Sequence, residues 1–255
     1  MTTARATALT VGGRRLDVLD LAGDPDLRPL VLLHEGLGSI GLWRDFPTAL
    51  ARRTGRRTVV YSRHGHGHSE NPVHPRTPAF FHQEARCVLP ELLGQLAVGE
   101  PVLVGHSDGG SIALIHGGEA PVTGVVTLAA HVFVEEICVR SIEAIRERYV
   151  HGELRARLAR HHDDPDATFW GWCDVWLDPA FGAWTLDGEA AAITAPTLVI
   201  QGRDDPYGTL AQVQRICAAV GPAARPLVVP GGHSPHLDAP DEVLAAIGAF
   251  CADLR

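Results

Sequence analysis

Val102-Leu103-Val104-Gly105-His106-Ser107-Asp108-Gly109-Gly110 runs from an apolar strand through a sharp turn into the start of a helix. Gly105 and Gly109 flank Ser107 in a Gly-x-Ser-x-Gly pattern. The missing side chains let strand and helix approach closely while the serine is held in a strained turn and projects from the sheet. The helix N-terminus that follows places positive partial charge where an oxyanion would form. Working outward, short β-branched runs alternate with helical patterns, which predicts a mostly parallel sheet covered on both faces. Leu9 to Leu21 forms an opening hairpin around Gly12-Gly13. Leu30–Leu33, Thr58–Tyr61, Val102–Val104, Val122–Leu128, Thr197–Ile200 and Pro226–Val229 are continuous apolar runs of strand length. Helices are expected over Trp43–Arg53, Phe80–Leu96, Gly109–His116, Thr209–Val220 and Asp241–Leu254. One stretch, from about Val132 to Gly188, has no strand pattern. It carries two charged amphipathic segments, the first with Ile137, Ile142, Ile145 and Tyr149. A cluster of Trp170, Trp172, Trp176 and Trp184 with Phe169 and Phe181 either lines an apolar pocket or forms the lid's own core. A single domain over 1–255 is expected, with 132–188 a helical lid inserted between sheet strands.

A serine hydroxyl attacks only when a base takes its proton, and that base must itself be oriented. Val228-Val229-Pro230-Gly231-Gly232-His233-Ser234-Pro235-His236 follows the last strand. Its Gly-Gly-His turn makes His233 a better base than His236. After the penultimate strand, Gly202-Arg203-Asp204-Asp205 offers two orienting carboxylates. Serine, acid and histidine thus fall in that order, each at a strand's carboxyl end, where open α/β sheets place their sites.

With these landmarks the sequence resembles the α/β-hydrolase superfamily over nearly its whole length. The resemblance rests on His34-Glu35-Gly36, on Arg63-His64-Gly65-His66-Gly67-His68-Ser69, on the serine turn, and on Gly202-x-x-Asp205 with Gly232-His233. It implies an α/β-hydrolase fold with a mostly parallel eight-stranded sheet, helices on both faces and a helical lid. It selects Asp205 over Asp204 as the acid. It also implies an oxyanion hole built from the N–H groups of Gly36 and Asp108. Glu35 stands where the superfamily commonly has glycine, which makes Leu37 a second candidate donor. The side chain of Glu35 either reaches the reacting centre or turns to a structural partner. His131, Trp170 and Trp172 are further candidates for binding substrate, against roles as structural histidine and lid core.

The expected chemistry is acyl transfer to water from a small or medium carboxylic ester, thioester or lactone. Serine at the elbow argues against haloalkane and epoxide hydrolysis, for which related enzymes use aspartate. The alternatives are amide hydrolysis, a carbon–carbon bond hydrolase of diketone-type substrates with Arg63, Arg140 or Arg146 holding a carboxylate, and an acyltransferase or perhydrolase. A non-catalytic ligand receptor on the same fold is the rival from another class.

Composition bounds the partners. The formal charge of −8 argues against non-specific binding to nucleic acid or an anionic membrane. No apolar run approaches the ~20 residues of a membrane helix, and Met1 to Gly13 carries one arginine, Arg5, and no signal-peptide pattern. A cytoplasmic protein is expected, with a small-molecule substrate as partner and a homodimer left open. The five cysteines lack Cys-x-x-Cys spacing and are expected as buried or half-buried thiols. No cofactor or metal is expected: His64, His66 and His68 coincide with the glycine turn and have no acidic ligand beside them.

Overall fold

A computed structural model describes residues 4–254; the first three residues of the N-terminal stretch and Arg255 lie outside it. Eight strands make one sheet: β1 Ala4–Val11, β2 Arg14–Leu21, β3 Leu30–Leu33, β4 Thr58–Ser62, β5 Val102–His106, β6 Gly124–Leu128, β7 Thr197–Gly202 and β8 Ala224–Val229. Their order is β1-β2-β4-β3-β5-β6-β7-β8. The pairs β1–β2 and β2–β4 are antiparallel and all others parallel. Every residue of β3 to β7 is buried, because helices cover both faces. One apolar layer gathers around Leu33, Leu103 and Ile112, the other around Leu32, Val104 and Phe250. Gly12 and Gly13, at φ 58° and 72°, close the opening hairpin.

The helices in chain order are α1 Phe46–Thr54, α2 Phe80–Gln83, α3 Leu89–Gln95, α4 Asp108–Glu119, α5 Glu136–His151, α6 Leu154–Leu158, α7 Pro165–Trp176, α8 Asp187–Ala191, α9 Leu210–Val220, α10 Pro235–Asp238 and α11 Pro240–Ala252. The helix expected over Phe80–Leu96 is interrupted by a π-turn at Glu84–Val88. Pro90 follows it, lacking an N–H and crowding the carbonyl four residues back, so the ladder widens there. Trp43 ends a 3₁₀ turn ahead of α1 instead of starting it.

Between β6 and β7 the chain forms α5 to α8, and a single bridge between Phe133 and Thr185 draws the ends of this stretch together. Tyr149 of α5 stacks on Phe169 of α7 at 3.7 Å, and both join the apolar layer around Leu33 and Leu103. Asp164 caps α7 by accepting the Ala167 N–H at 2.9 Å. Cys138, Cys173 and Cys251 are buried and Cys217 half-buried; Cys87, on the outer face of the π-turn, is exposed, against expectation. No helix among the described residues is long and apolar enough to cross a membrane.

Besides His106, six histidines, His34, His66, His116, His131, His162 and His236, are at most 4 % exposed. Burial holds all six below the ordinary imidazole value, His162 at about 4 and His131 at about 3. The folded rings thus take up protons at lower pH than unfolded imidazoles, which titrate near about pH 6.5, and His131 and His162 are still neutral at pH 5. The unfolded state then binds more protons, so stability must fall as the pH drops below 6.5. Urea unfolding between pH 7.5 and 5 is expected to lose more than about 1.4 kcal/mol per pH unit at the acid end, the slope for one proton. A flat profile would exclude neutral burial of these rings.

Candidate active site

Ser107 lies between β5 and α4 with φ 51° and ψ −117°, a conformation side chains rarely adopt. Main chain meeting main chain enforces the turn. A Cβ at Gly105 would stand 2.2 Å from the Gly109 carbonyl oxygen, and one at Gly109 would stand 2.0 Å from that of Leu33. The hydroxyl therefore rises from the carboxyl edge of the sheet beside the loop after β3.

Asp205 and His233 arrive on the loops after β7 and β8. His233 Nε2 is 2.8 Å from Ser107 Oγ, and His233 Nδ1 is 2.9 and 2.8 Å from the two Asp205 carboxylate oxygens. Nδ1–H donates to the carboxylate, which leaves Nε2 to accept the serine proton. Gln201 Nε2 donates to Asp205 Oδ2 at 2.7 Å and the Tyr207 N–H to Oδ1 at 2.8 Å. Burial pushes the Asp205 carboxyl up, but the hydrogen bond and charge of His233 hold it below its ordinary value. Asp204 is exposed. His236 is buried against Trp43 and Phe46, in the apolar layer beneath the base.

The loop after β3 is held from behind through four consecutive carbonyls. Arg63 donates to those of His34 and Glu35, and His34 Nδ1 also donates to Glu35 at 2.7 Å. His66 Nε2 donates to Gly36 at 2.9 Å and His162 Nε2 to Leu37 at 3.0 Å. Arg76 in turn donates to His66 Nδ1 at 2.9 Å, which fixes the tautomer of that ring. From the other side the Trp172 indole presses on the loop. A Cβ at Gly36 would lie 2.1 Å from its Nε1, so glycine is required there.

A cavity of about 250 Å³ opens on Ser107 and His233. Of the residues singled out in the sequence, Glu35, Gly36, Leu37, Asp108, His131 and Trp172 line it. Trp170 does not: it borders a separate surface groove with Asn71 and Arg76. The two tryptophans are two residues apart, so a helix turns them to different faces. Trp176, one turn beyond Trp172, faces the cavity, as do Cys138 and Ile142 of α5 and Tyr207. Their i, i+4 spacing was the available signal; Tyr207 had none. The arginines offered for a substrate carboxylate are elsewhere. Arg63 is buried behind the loop, while Arg140 and Arg146 lie on the outer face of α5 beside Glu136 and Glu147. His64, His66 and His68 diverge; His68 pairs with Asp163 at the surface.

The side chain of Asp108 accepts from Trp176 Nε1 at 3.1 Å, and burial pushes its carboxyl up. Glu35 does two things at once. Its carboxylate is 3.5 Å from His106 Nδ1, and its side chain, 27 % exposed, also borders the cavity. A larger surface concavity of about 830 Å³ lies at the sheet edge near Asp20, Arg28 and Arg57, far from Ser107.

Comparison with known proteins gives the same architecture. The chain aligns with sn-1-specific diacylglycerol lipase ABHD11 of Danio rerio at 38% identity over 98 residues, 38% of this chain and 29% of that protein. It aligns with a proline iminopeptidase of Lactobacillus delbrueckii subsp. lactis at 33% over 91 residues, 36% of this chain and 31% of the relative. These alignments span less than a third of the relatives' length. In three dimensions the chain is similar to the enol-lactonase of Burkholderia xenovorans LB400, with a TM-score of 0.76, 22% identity and 97% and 100% of the two chains covered. An esterase of Exiguobacterium antarcticum gives 0.76 at 20% identity, over 98% and 100%. Both likenesses speak to the fold alone. The model of the alpha/beta hydrolase family matches residues 30–246, and the chain belongs to that family.

Proposed function

We propose that this hydrolase cleaves a small or medium carboxylic ester, thioester or lactone through an acyl-enzyme on Ser107. The observation that carries this is the unbroken 2.8 Å chain from Ser107 Oγ through His233 to Asp205, beside an open cavity. His233 Nε2 takes the hydroxyl proton as Oγ bonds to the carbonyl carbon, and the imidazolium is held by Asp205. His233 then returns the proton to the departing oxygen or sulfur. A water, deprotonated by the same ring, adds to the acyl group and releases the acid. The lipase named above acts on oxygen esters by its name, which supports this class; the iminopeptidase is why the scissile bond is tested directly.

The pinned loop supports an oxyanion role. In a trans peptide the C=O and N–H point in opposite directions. With the Glu35 and Gly36 carbonyls bonded to Arg63 and His66, the N–H groups of Gly36 and Leu37 are directed away from those side chains. We assign these two, with the Asp108 N–H at the start of α4, as donors to the developing oxyanion. The helices over 132–188 act as the lid, supplying Cys138, Ile142, Trp172 and Trp176 to the cavity wall.

Two outcomes are expected. A fluorophosphonate should label wild-type protein at Ser107, read by intact mass and peptide mapping. Ser107→Ala should not label, and His233→Ala should label about a thousandfold more slowly. Equal labelling of either variant sinks the mechanism. Separately, His66→Leu should lower kcat on a hydrolysed ester by about ten- to a hundredfold with KM changed less than threefold, since a misaligned donor weakens only the transition state. His66→Gln, which keeps a donor, should recover part of the loss.

A further inference from the structure

The cavity beside Ser107 is lopsided in charge. The chain's 22 basic residues are all arginines, and among the described residues lining the cavity none is an arginine. The acids Glu35 and Asp108 do line it, one on the oxyanion loop and one directly after the nucleophile. Neither carboxylate is bonded to an arginine. Asp108 Oδ1 accepts from Trp176 Nε1 at 3.1 Å, and the Glu35 carboxylate approaches only the His106 ring, at 3.5 Å. Asp108 is 1 % exposed, and its Oδ2 has no hydrogen-bond donor. A buried carboxylate oxygen without a donor leaves charge uncompensated, which a cation lodged beside it would offset electrostatically.

Burial pushes the Asp108 carboxyl up, and Arg63 and Arg76 lie close enough for their charge to pull it down in part, but neither bonds to it or reaches the cavity. Arg63 is bonded to loop carbonyls, and Arg76 to the His64 carbonyl and His66. The remaining wall is aromatic and apolar, with the Trp172 and Trp176 indoles, Tyr207, Leu37 and Ile142. Indole faces attract cations and offer nothing to a carboxylate. The −8 charge of the whole chain adds a field of the same sign.

We propose that the cavity takes acyl substrates carrying a cationic nitrogen and rejects those carrying a carboxylate, with Glu35 and Asp108 setting that preference. Glu35 is held ionised against the burial that would neutralise it, chiefly by His106 and His34 beside it. An ammonium placed against Asp108 would restore charge to a carboxyl that burial pushes up. The proposal rests on the acyl-transfer function above and adds the substrate class.

The test uses three 4-nitrophenyl esters of matched shape: 4-(trimethylammonio)butyrate, its uncharged carbon isostere 5,5-dimethylhexanoate, and the monoester of glutarate. Each kcat/KM is normalised to that ester's own rate in buffer. The cationic ester is expected to exceed the neutral one by about tenfold, and the anionic one to fall below it by a similar factor, the scale left to a part-buried ion pair after screening. Glu35→Gln and Asp108→Asn should each lower the cationic-to-neutral ratio at least threefold, with folding checked by the thermal midpoint. The wild-type ratio alone decides the matter if either variant fails to fold. Hydrolysis with equal rates across the series, or fastest for the anion, overturns the charge preference and leaves the serine mechanism standing. No hydrolysis of any ester together with no phosphonate labelling overturns both.

Discussion

The site depends on main chain lying directly against main chain at the carboxyl edge of the sheet. Gly105 and Gly109 let the first turn of α4 rest on the ends of β5 and β3, and Gly202 lets β7 meet the loop after β8. A Cβ at Gly202 would stand 1.9 Å from the Gly232 carbonyl oxygen. These approaches set where the backbone carries Ser107, Asp205 and His233, and backbone yields less readily than side chains, which can change rotamer.

Around that frame the polar groups are distributed unusually. The loop after β3 is irregular, so its carbonyls have no ladder to join and need donors. Buried histidines and Arg63 provide them, which explains why so many rings lie beneath the site in an uncharged form. The same arrangement commits the protein to acid sensitivity: each ring works as a neutral donor only while it stays buried.

Much of this was readable in the chain. The strand runs are apolar throughout because both faces are covered, so β3 to β7 stood out, and the glycine signatures at 105, 109, 202 and 232 marked where the backbone turns. Residue order and strand-end position then placed Ser107, Asp205 and His233. What escaped was whatever depends on direction in three dimensions. That Trp170 and Trp172 cannot share a helix face follows from their spacing, but which of the two meets the cavity does not: α7 sends Trp172 there and Trp170 to a surface groove. The histidines at 66 and 162 are 96 residues apart and meet on adjacent carbonyls of one loop, a convergence no local pattern announces. Arg63, in a turn that suggested anion binding, is consumed by backbone.

His162 has a consequence of its own. It lies between α6 and α7 and joins two loops of the sheet domain: Nδ1 accepts the Gly67 N–H at 2.9 Å while Nε2 donates to the Leu37 carbonyl. The same helical stretch presses Trp172 on Gly36. These helices and the loop after β3 are therefore one mechanical unit: displacing the helices would strip a hydrogen bond and a packing surface from the loop beside Ser107.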